Sequence, residues 1–428
     1  MTSEKRRVVI TGMDTINPLG DNLDVFFDNL IKGKSGVVRW KTLDMTNVEC
    51  KIGGDLGNYD CLAALTGIKE KIGESKFKSI RKLFKTGTFS AKTALLTAIK
   101  AYLDSGLYGS QNDPFRTSVI VGGHNLNSRY IFRNGLQFLK EPEFIDPLSG
   151  VEGIDPNIPA VISEALELHG PTFTVGGACA SGNLALREGF RDITTGECDL
   201  SVVTGALFDM DEAVIHASVF INAVVVKPCY QDRPEAASRP FDVDRCGFVY
   251  SHGAGTLILE EYEHAKKRGA RIYAEVLGVR ATSNGCHLPL PSGNTQEWTI
   301  KALIKDAGIN PQDVDYVNCH ATGTPAGDLE EIKGIKQAFG DHAKKLKLNA
   351  AKSMLGHVCW SSPIVETIAG LLQMKHGVLH PTINIDRLDP EIDLDVCANR
   401  AQEHTINIML KNSFGFGGIN CCSLLRRM

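Results

Sequence analysis

The chain has 428 residues, 43% hydrophobic and 7% aromatic, with a formal net charge of -4. That length and apolar content bury a large core in one or two domains, and the slightly acidic balance argues against a nucleic-acid-binding protein. Apolar residues nowhere run unbroken for the ~18 positions a membrane span needs, and "MTSEKRRVVITGM" passes from a short charged tail straight into a strand-like run, so neither a span nor a signal peptide is expected.

From there, apolar and amphipathic segments alternate. "RVVITGM", "TSVIVGG", "CDLSVVTGA" and "GTLILEE" have the continuous apolar character of strands covered on both faces, and "FSAKTALLTAIKAYLDSG" and "CASGNLALREGFRDITTG" have helical spacing. After about residue 258 the alternation begins again. "ARIYAEVLGV", the helix "TQEWTIKALIKDAG", the strand "VDYVNCHAT" and a helix through "GDLEEIKGIKQAFG" are followed by a short strand at "KLKLNAAKS", a helix through "PIVETIAGLLQMKHG", and "TINIMLKNSFGFGGINCCSLLRR". The pattern predicts two comparable α/β halves, 1–257 and 258–428, in one compact body, because no Pro- or Ser-rich linker divides them.

Twelve cysteines are scattered through apolar or glycine-rich surroundings with no C-x-x-C pair. They read as reduced thiols of a cytoplasmic protein, and neither a zinc cage nor a dithiol redox centre is supported. No metal and no cofactor are expected. Cys421 and Cys422 would point to opposite faces of a strand.

One thiol stands apart. In "FTVGGACASGN", Cys179 lies between a strand-like run and a helix whose Leu184, Leu186, Phe190 and Ile193 share one side, with Ser181 and Asn183 at or near its start. A helix N-terminus favours a thiolate, and the glycines around it permit a strained turn and close approach of a substrate. The alternative is a small buried hydrophobe. Three later segments bear on that choice: "VNCHATGTPAGD" with His320 and Asp328, "NAAKSMLGHVCWSSPIVE" with Lys352, His357 and Glu366, and the glycine-rich turn "NSFGFGGIN".

Together with "SRPFDVDRCGFV", these motifs resemble the β-ketoacyl synthase family, the condensing enzymes of fatty-acid and polyketide assembly, and the likeness covers nearly the whole chain. The resemblance implies an α/β fold of the duplicated, five-layered αβαβα thiolase type. It implies that Cys179 accepts an acyl group from a carrier thioester, and that the amides of Cys179 and Phe416 receive the oxyanion. His320 and His357 would stabilise the enolate left when a malonyl thioester loses carbon dioxide. Lys352, partnered by Glu366, would orient a loop, although a plain surface lysine is the alternative. Asp328 and Glu366 would organise the histidine loops, Phe416 would gate the acyl pocket, and Phe414 would pack beneath it.

Several positions depart from the family's usual pattern. Gly-Gly-Ala precedes Cys179, Ser251 and His252 stand where Gly-Glu is common, and Ile419 stands where Thr is common. Trp360, Ser361, Ser362 and Pro363 replace a small Gly-Ala segment, and a bulky Trp360 would shorten or redirect the acyl tunnel. Several departures, especially "FTVGGACASGN", "QDRPEAASRPFD" and "FGFGGIN", resemble freestanding polyketide-pathway ketosynthases. Condensation is the leading activity. A malonyl-carrier decarboxylase, or a non-catalytic partner that sets chain length in a heterodimer, are the alternatives.

The implied partners are an acidic acyl carrier protein, whose phosphopantetheine arm carries the substrates, and a second subunit, either a copy of this chain or a homologue. In "IKEKIGESKFKSIRKLFK", Lys69, Lys71, Lys76, Lys78, Arg81, Lys82 and Lys85 face only Glu70 and Glu74. That run either steers an acidic carrier or forms a solvated helix face.

Overall fold

The computed structural model describes residues 6–428. Ten strands form one sheet: β1 (Val8–Ile16), β2 (Thr117–Gly122), β3 (Thr172–Val175), β4 (Leu200–Gly205), β5 (Ala254–Glu261), β6 (Ala274–Ser283), β7 (Tyr316–Asn318), β8 (Lys347–Asn349), β9 (Ile408–Gly415) and β10 (Ile419–Arg427). Their order is β8-β7-β9-β10-β6-β1-β5-β4-β2-β3. The first five strands thus lie as β3-β2-β4-β5-β1 and the last five as β8-β7-β9-β10-β6, which is the same order counted within each half.

Directions repeat as well. β2 is parallel to β3 and β4, and β7 is parallel to β8 and β9. β5 runs antiparallel to β4 and β1, and β10 runs antiparallel to β9 and β6. The halves join where β1 meets β6, with Val8 opposite Val276 and Ile10 opposite Ala274. A duplicated α/β fold is therefore written into the topology. Residue 257, the expected boundary, lies in the middle of β5, so the changeover falls in 262–273 instead. The antiparallel pairing of β5 with β1 closes the first half, and such long-range pairing leaves no mark on local composition.

Six helices position the rest: α1 (Phe89–Asp104), α2 (Asn157–Leu166), α3 (Ser181–Thr195), α4 (Gly293–Ala307), α5 (Pro325–Phe339) and α6 (Ser362–His376). Their burial separates them into layers. α1 and α2 pack on the outside of the first half, and α4 and α5 on the outside of the second. Between the halves, α3 touches β2, β4, β6 and β10, while α6 touches β4, β5, β7 and β9. These two helices contact each other and form the middle of five layers. α6 is accordingly apolar nearly all round, with every residue from Ser362 to Met374 buried.

Candidate active site

The site is built where α3 begins. β3 ends at Val175, the chain turns through residues 178–180, and α3 starts at Ser181. Ala178 holds φ +46°, a left-handed conformation that costs a non-glycine residue energy and aims the next side chain out of the turn. Ser181 braces it, its Oγ accepting from the Gly177 N–H (2.9 Å) and donating to the Ala178 carbonyl (2.7 Å). Asn183 does not cap the helix. Its Nδ2 reaches Ser413 Oγ (3.1 Å) and the Cys421 carbonyl (3.0 Å), tying α3 to β9 and β10.

The glycine-rich turn after β9 lies directly against this elbow. A Cβ on Gly415 would stand 2.4 Å from the Gly177 carbonyl oxygen, so only glycine allows the approach. The backbone N–H groups of Phe416 and of Cys179 itself consequently lie near enough to the Cys179 sulfur to favour its charged form. Burial pushes the Cys179 thiol up to about 11, against the charge of Lys352 and these two amides. The helix start was expected to favour a thiolate, and desolvation overrides it: Cys179 rests as a thiol.

His320 follows β7, and His357 lies in the loop between β8 and α6. Their rings are 5.7 Å apart and nearly perpendicular, and one donor atom each of Cys179, His320 and His357 lie within 4.8 Å of one another. His357 Nδ1 accepts from the Cys359 N–H (3.2 Å) and bonds Ser362 Oγ (2.9 Å). Its proton therefore sits on Nε2, which has no hydrogen-bond partner among the described residues. His320 Nδ1 is likewise buried and without a partner among the described residues. Burial, followed by the charge of Lys352, drives both rings well below the usual histidine range, so both are neutral at pH 7. Among the described residues these three are also the group spaced to hold a metal ion.

Lys352 is fully buried rather than solvated. Its Nζ donates to the His320 carbonyl (2.6 Å) and pairs with Glu366 Oε1 (2.5 Å). The other oxygen of Glu366 pairs with Lys411 (2.5 Å), a buried lysine on β9. Glu331 on α5 accepts from the N–H groups of His320 (2.8 Å) and Ala321 (2.7 Å), and from Asn412. Asp328, one helical turn earlier, holds the N–H groups of Gly323 (3.0 Å) and Phe241 (2.9 Å), and burial raises its carboxyl to about 7. The "SRPFDVDRCGFV" segment clamps the same loop, with Arg245 donating to the carbonyls of Thr324 and Pro325 and Ser238 to the carbonyl of Lys352.

A cavity of about 370 Å³ opens onto Cys179, His320 and His357, and its more exposed lining residues include Asn284, Leu290, Thr324, Pro325 and Phe416. Phe416 is 41% exposed and faces Phe248 across 6.4 Å. The ring contact of Phe414 is with His320 (5.7 Å) rather than with Phe416.

Sequence comparison matches residues 5–265 to the family described as "Beta-ketoacyl synthase, N-terminal domain" and residues 273–386 to its C-terminal domain. This chain belongs to the β-ketoacyl synthase family. It is 34% identical to a 3-oxoacyl-[acyl-carrier-protein] synthase 2 of Coxiella burnetii and 33% identical to one of Vibrio cholerae, over 99% of this chain and 99–100% of each relative. Among solved structures, it resembles a type II PKS ketosynthase bound to its acyl-carrier protein and a hexaketide, at TM-score 0.87 and 27% identity. It also resembles the ishigamide ketosynthase/chain length factor, at TM-score 0.87 and 28% identity. Each likeness covers 99% of this chain and 100% of the other.

Two charged residues of this β-ketoacyl synthase site escaped sequence reasoning. Glu331 was signalled by its i,i+3 spacing from Asp328, which puts both carboxylates on one face of α5. Lys411 was signalled by a lone cation in the apolar strand "NIMLKNSF". Of the departures from the family pattern, His252 lies away from the cavity among Trp40 and Phe89, with its ring pushed down to about 4 by burial. Ile419 lies 3.7 Å from the position a Gly177 Cβ would take. The twelve cysteines are free. No described helix is long and apolar enough to cross a membrane.

Proposed function

We propose that this protein joins an acyl group to a malonyl unit by decarboxylative condensation, working on thioesters of an acyl carrier protein. The observation that carries this reading is the convergence of one thiol, two neutral imidazoles and the Phe416 amide at the floor of one cavity.

Cys179 must first lose a proton, since it rests as a thiol. His357 Nδ1 is occupied, whereas the His320 ring has no hydrogen bond that fixes its tautomer, so His320 is assigned the proton. The sulfur attacks the acyl thioester carbonyl, the oxyanion is held by the Cys179 and Phe416 amides, and the departing carrier thiol takes the proton back from His320. The acyl group is now a thioester of Cys179.

A malonyl thioester then enters through the same mouth. Loss of carbon dioxide leaves an electron pair delocalised onto the thioester oxygen, where His357 Nε2–H and an N–H of His320 donate. The carbon end of this enolate attacks the acyl-Cys179 carbonyl. A carbon–carbon bond forms, the Cys179–acyl bond breaks, and the sulfur leaves as a thiolate that takes one proton from solvent. The product is a 3-oxoacyl carrier thioester, and the balance needs no cofactor. Lys352 keeps its carbonyl contact to His320 throughout and acts as a positioning residue.

The carrier is assigned to the helical run from Lys69 to Thr86. There Lys69 and Lys78 pair with Glu74 and Lys76 with Glu167, while Lys71, Arg81, Lys82 and Lys85 stay exposed without an ion-pair partner among the described residues. A second subunit is assigned to the open edge of β3. The neighbouring segment, bonded to it through Thr174 and Asp155, exposes Leu136, Phe138, Leu139 and Phe144.

Mass spectrometry of the carrier after incubation with enzyme, acyl-carrier and malonyl-carrier tests the reaction. A 3-oxoacyl product is expected. Acetyl-carrier alone would replace condensation with decarboxylation, and an unchanged carrier would favour a non-catalytic partner subunit. Charge reversal at Arg81 and Lys82 should weaken carrier-dependent turnover and spare a small acyl thioester; equal loss of both rules out docking there.

A further inference from the structure

Condensation requires two groups at Cys179 at once: an acyl chain on the sulfur and a malonyl thioester arriving from the mouth. The mouth side, lined by Asn284, Leu290, Thr324 and Pro325, has to hold the carrier's arm. The acyl chain is left with the opposite side of Cys179, where the elbow backs onto the loop after β2 and onto the turn Cys359–Ser361.

That side is filled by aromatic rings. Trp360 stacks on His124 with ring centroids 4.3 Å apart and planes 28° from parallel, and Phe208 lies against Trp360 at 5.2 Å. His124 presses on the elbow itself, since a Cβ on Gly176 would meet the His124 Cβ at 3.2 Å. The turn that carries Trp360 packs directly on residues 178–180. None of the three aromatic side chains lines the cavity that reaches Cys179.

We propose that the Trp360–His124 stack closes the acyl side of Cys179, so that this enzyme loads short acyl groups such as acetyl and rejects long ones such as dodecanoyl. The inference rests on the condensing reading above. Packed interiors have no slack, so each added methylene has to displace a ring that is itself held by Phe208. A single excess methylene in a fitted pocket is discriminated by roughly 10- to 200-fold, which makes rejection of a chain many methylenes too long by at least ~100-fold the modest expectation.

Loading of Cys179 by acetyl and dodecanoyl pantetheine thioesters, followed by mass spectrometry of the intact chain, tests the proposal without any variant. Acetyl should load at least ~100-fold faster. In Trp360→Gly, and separately in His124→Ala, the dodecanoyl-to-acetyl ratio should rise at least ~10-fold. Comparing the two thioesters within one variant cancels general damage to folding. Equal loading of both by the natural chain, or a ratio that neither variant moves, overturns the plug and leaves the condensing reading intact. Failure of the folded natural chain to load either thioester removes the condensing reading and the plug together.

Discussion

The two halves reach the cavity with the same piece of backbone and use it differently. In the first, a turn at 178–180 opens with a left-handed Ala178 (φ +46°) and leads into α3 at Ser181; in the second, a turn at 359–361 opens with a left-handed Cys359 (φ +53°) and leads into α6 at Ser362. Each helix has 15 residues, and the two turns pack on each other. Cys179 and Trp360 are therefore matching residues of a duplicated elbow. Around Cys179 the 415–418 turn brings an amide, and β7 and the loop after β8 bring two imidazoles. Around Trp360 stand the rings of His124 and Phe208. Duplication supplies the elbow twice, and the loops each elbow meets surround one with two imidazoles and the other with aromatic rings.

The largest test removes the thiol. Cys179→Ala should lower acyl loading and condensation by at least ~10⁴-fold, because a nucleophile has no substitute in a two-step transfer. Adding Trp360→Cys to that variant should restore nothing, although it puts a thiol on the twin elbow. Acyl transfer to that introduced thiol in the double variant, seen by peptide mass spectrometry, would break the comparison. Next in size is Gly415→Ala. Its methyl would collide with the Gly177 carbonyl and draw the Phe416 amide off the sulfur, so turnover should fall by roughly 10²–10³-fold with the circular dichroism spectrum unchanged.

Two further measurements concern the electrostatics that only the first elbow has. Lys411→Met leaves Glu366 and Glu331 short of a buried cation and should cost about 3–5 kcal/mol, read as a lower urea midpoint. Alkylation of Cys179 by iodoacetamide should climb roughly tenfold per pH unit through pH 9 and level off only near 11. The folded thiol holds its proton more tightly than the unfolded one, so its contribution to stability is complete below pH 9 and disappears as pH rises toward 11. A rate already level at pH 8 would mean that the helix start outweighs burial after all.

What the sequence disclosed follows from which forces are local. Cys179 and His320 each stand just after an apolar run in a loop of small residues, a pattern that neighbouring positions alone create, whereas His357, after "NAAKSMLG", was legible through the family resemblance. The strands were legible because strands buried on both faces need unbroken apolar runs. The Lys352–Glu366–Lys411 chain was legible only in part, since it joins the loop after β8, α6 and β9, and burial of a lysine depends on what packs over it from far along the chain. The suppressed thiolate has the same origin. The helix start lies beside Cys179 in sequence, while the desolvation that overrides it comes from β9, β7 and the loop after β8. Trp360 was conspicuous as a bulky residue among small ones; its contact with His124 was not, being fixed by tertiary packing.

The finest discrimination comes from the serines that open the two helices. Ser181 Oγ is the partner of the buried Gly177 N–H, and Ser181→Ala leaves that N–H without an acceptor. The penalty is the desolvation of one amide, about 1–3 kcal/mol of stability, and it falls on the backbone that aims Cys179. Ser362 occupies the same place in α6 and reaches His357 Nδ1, but the Cys359 N–H donates to that nitrogen as well. Ser362→Ala therefore keeps the proton on Nε2 and should lower turnover less than ~10-fold, with the pH profile unmoved. If Ser362→Ala is instead the more damaging of the two, with a pH profile displaced toward a more basic histidine, then the hydroxyl rather than the Cys359 amide sets the His357 tautomer. The second elbow would then share in catalysis through its first helical residue.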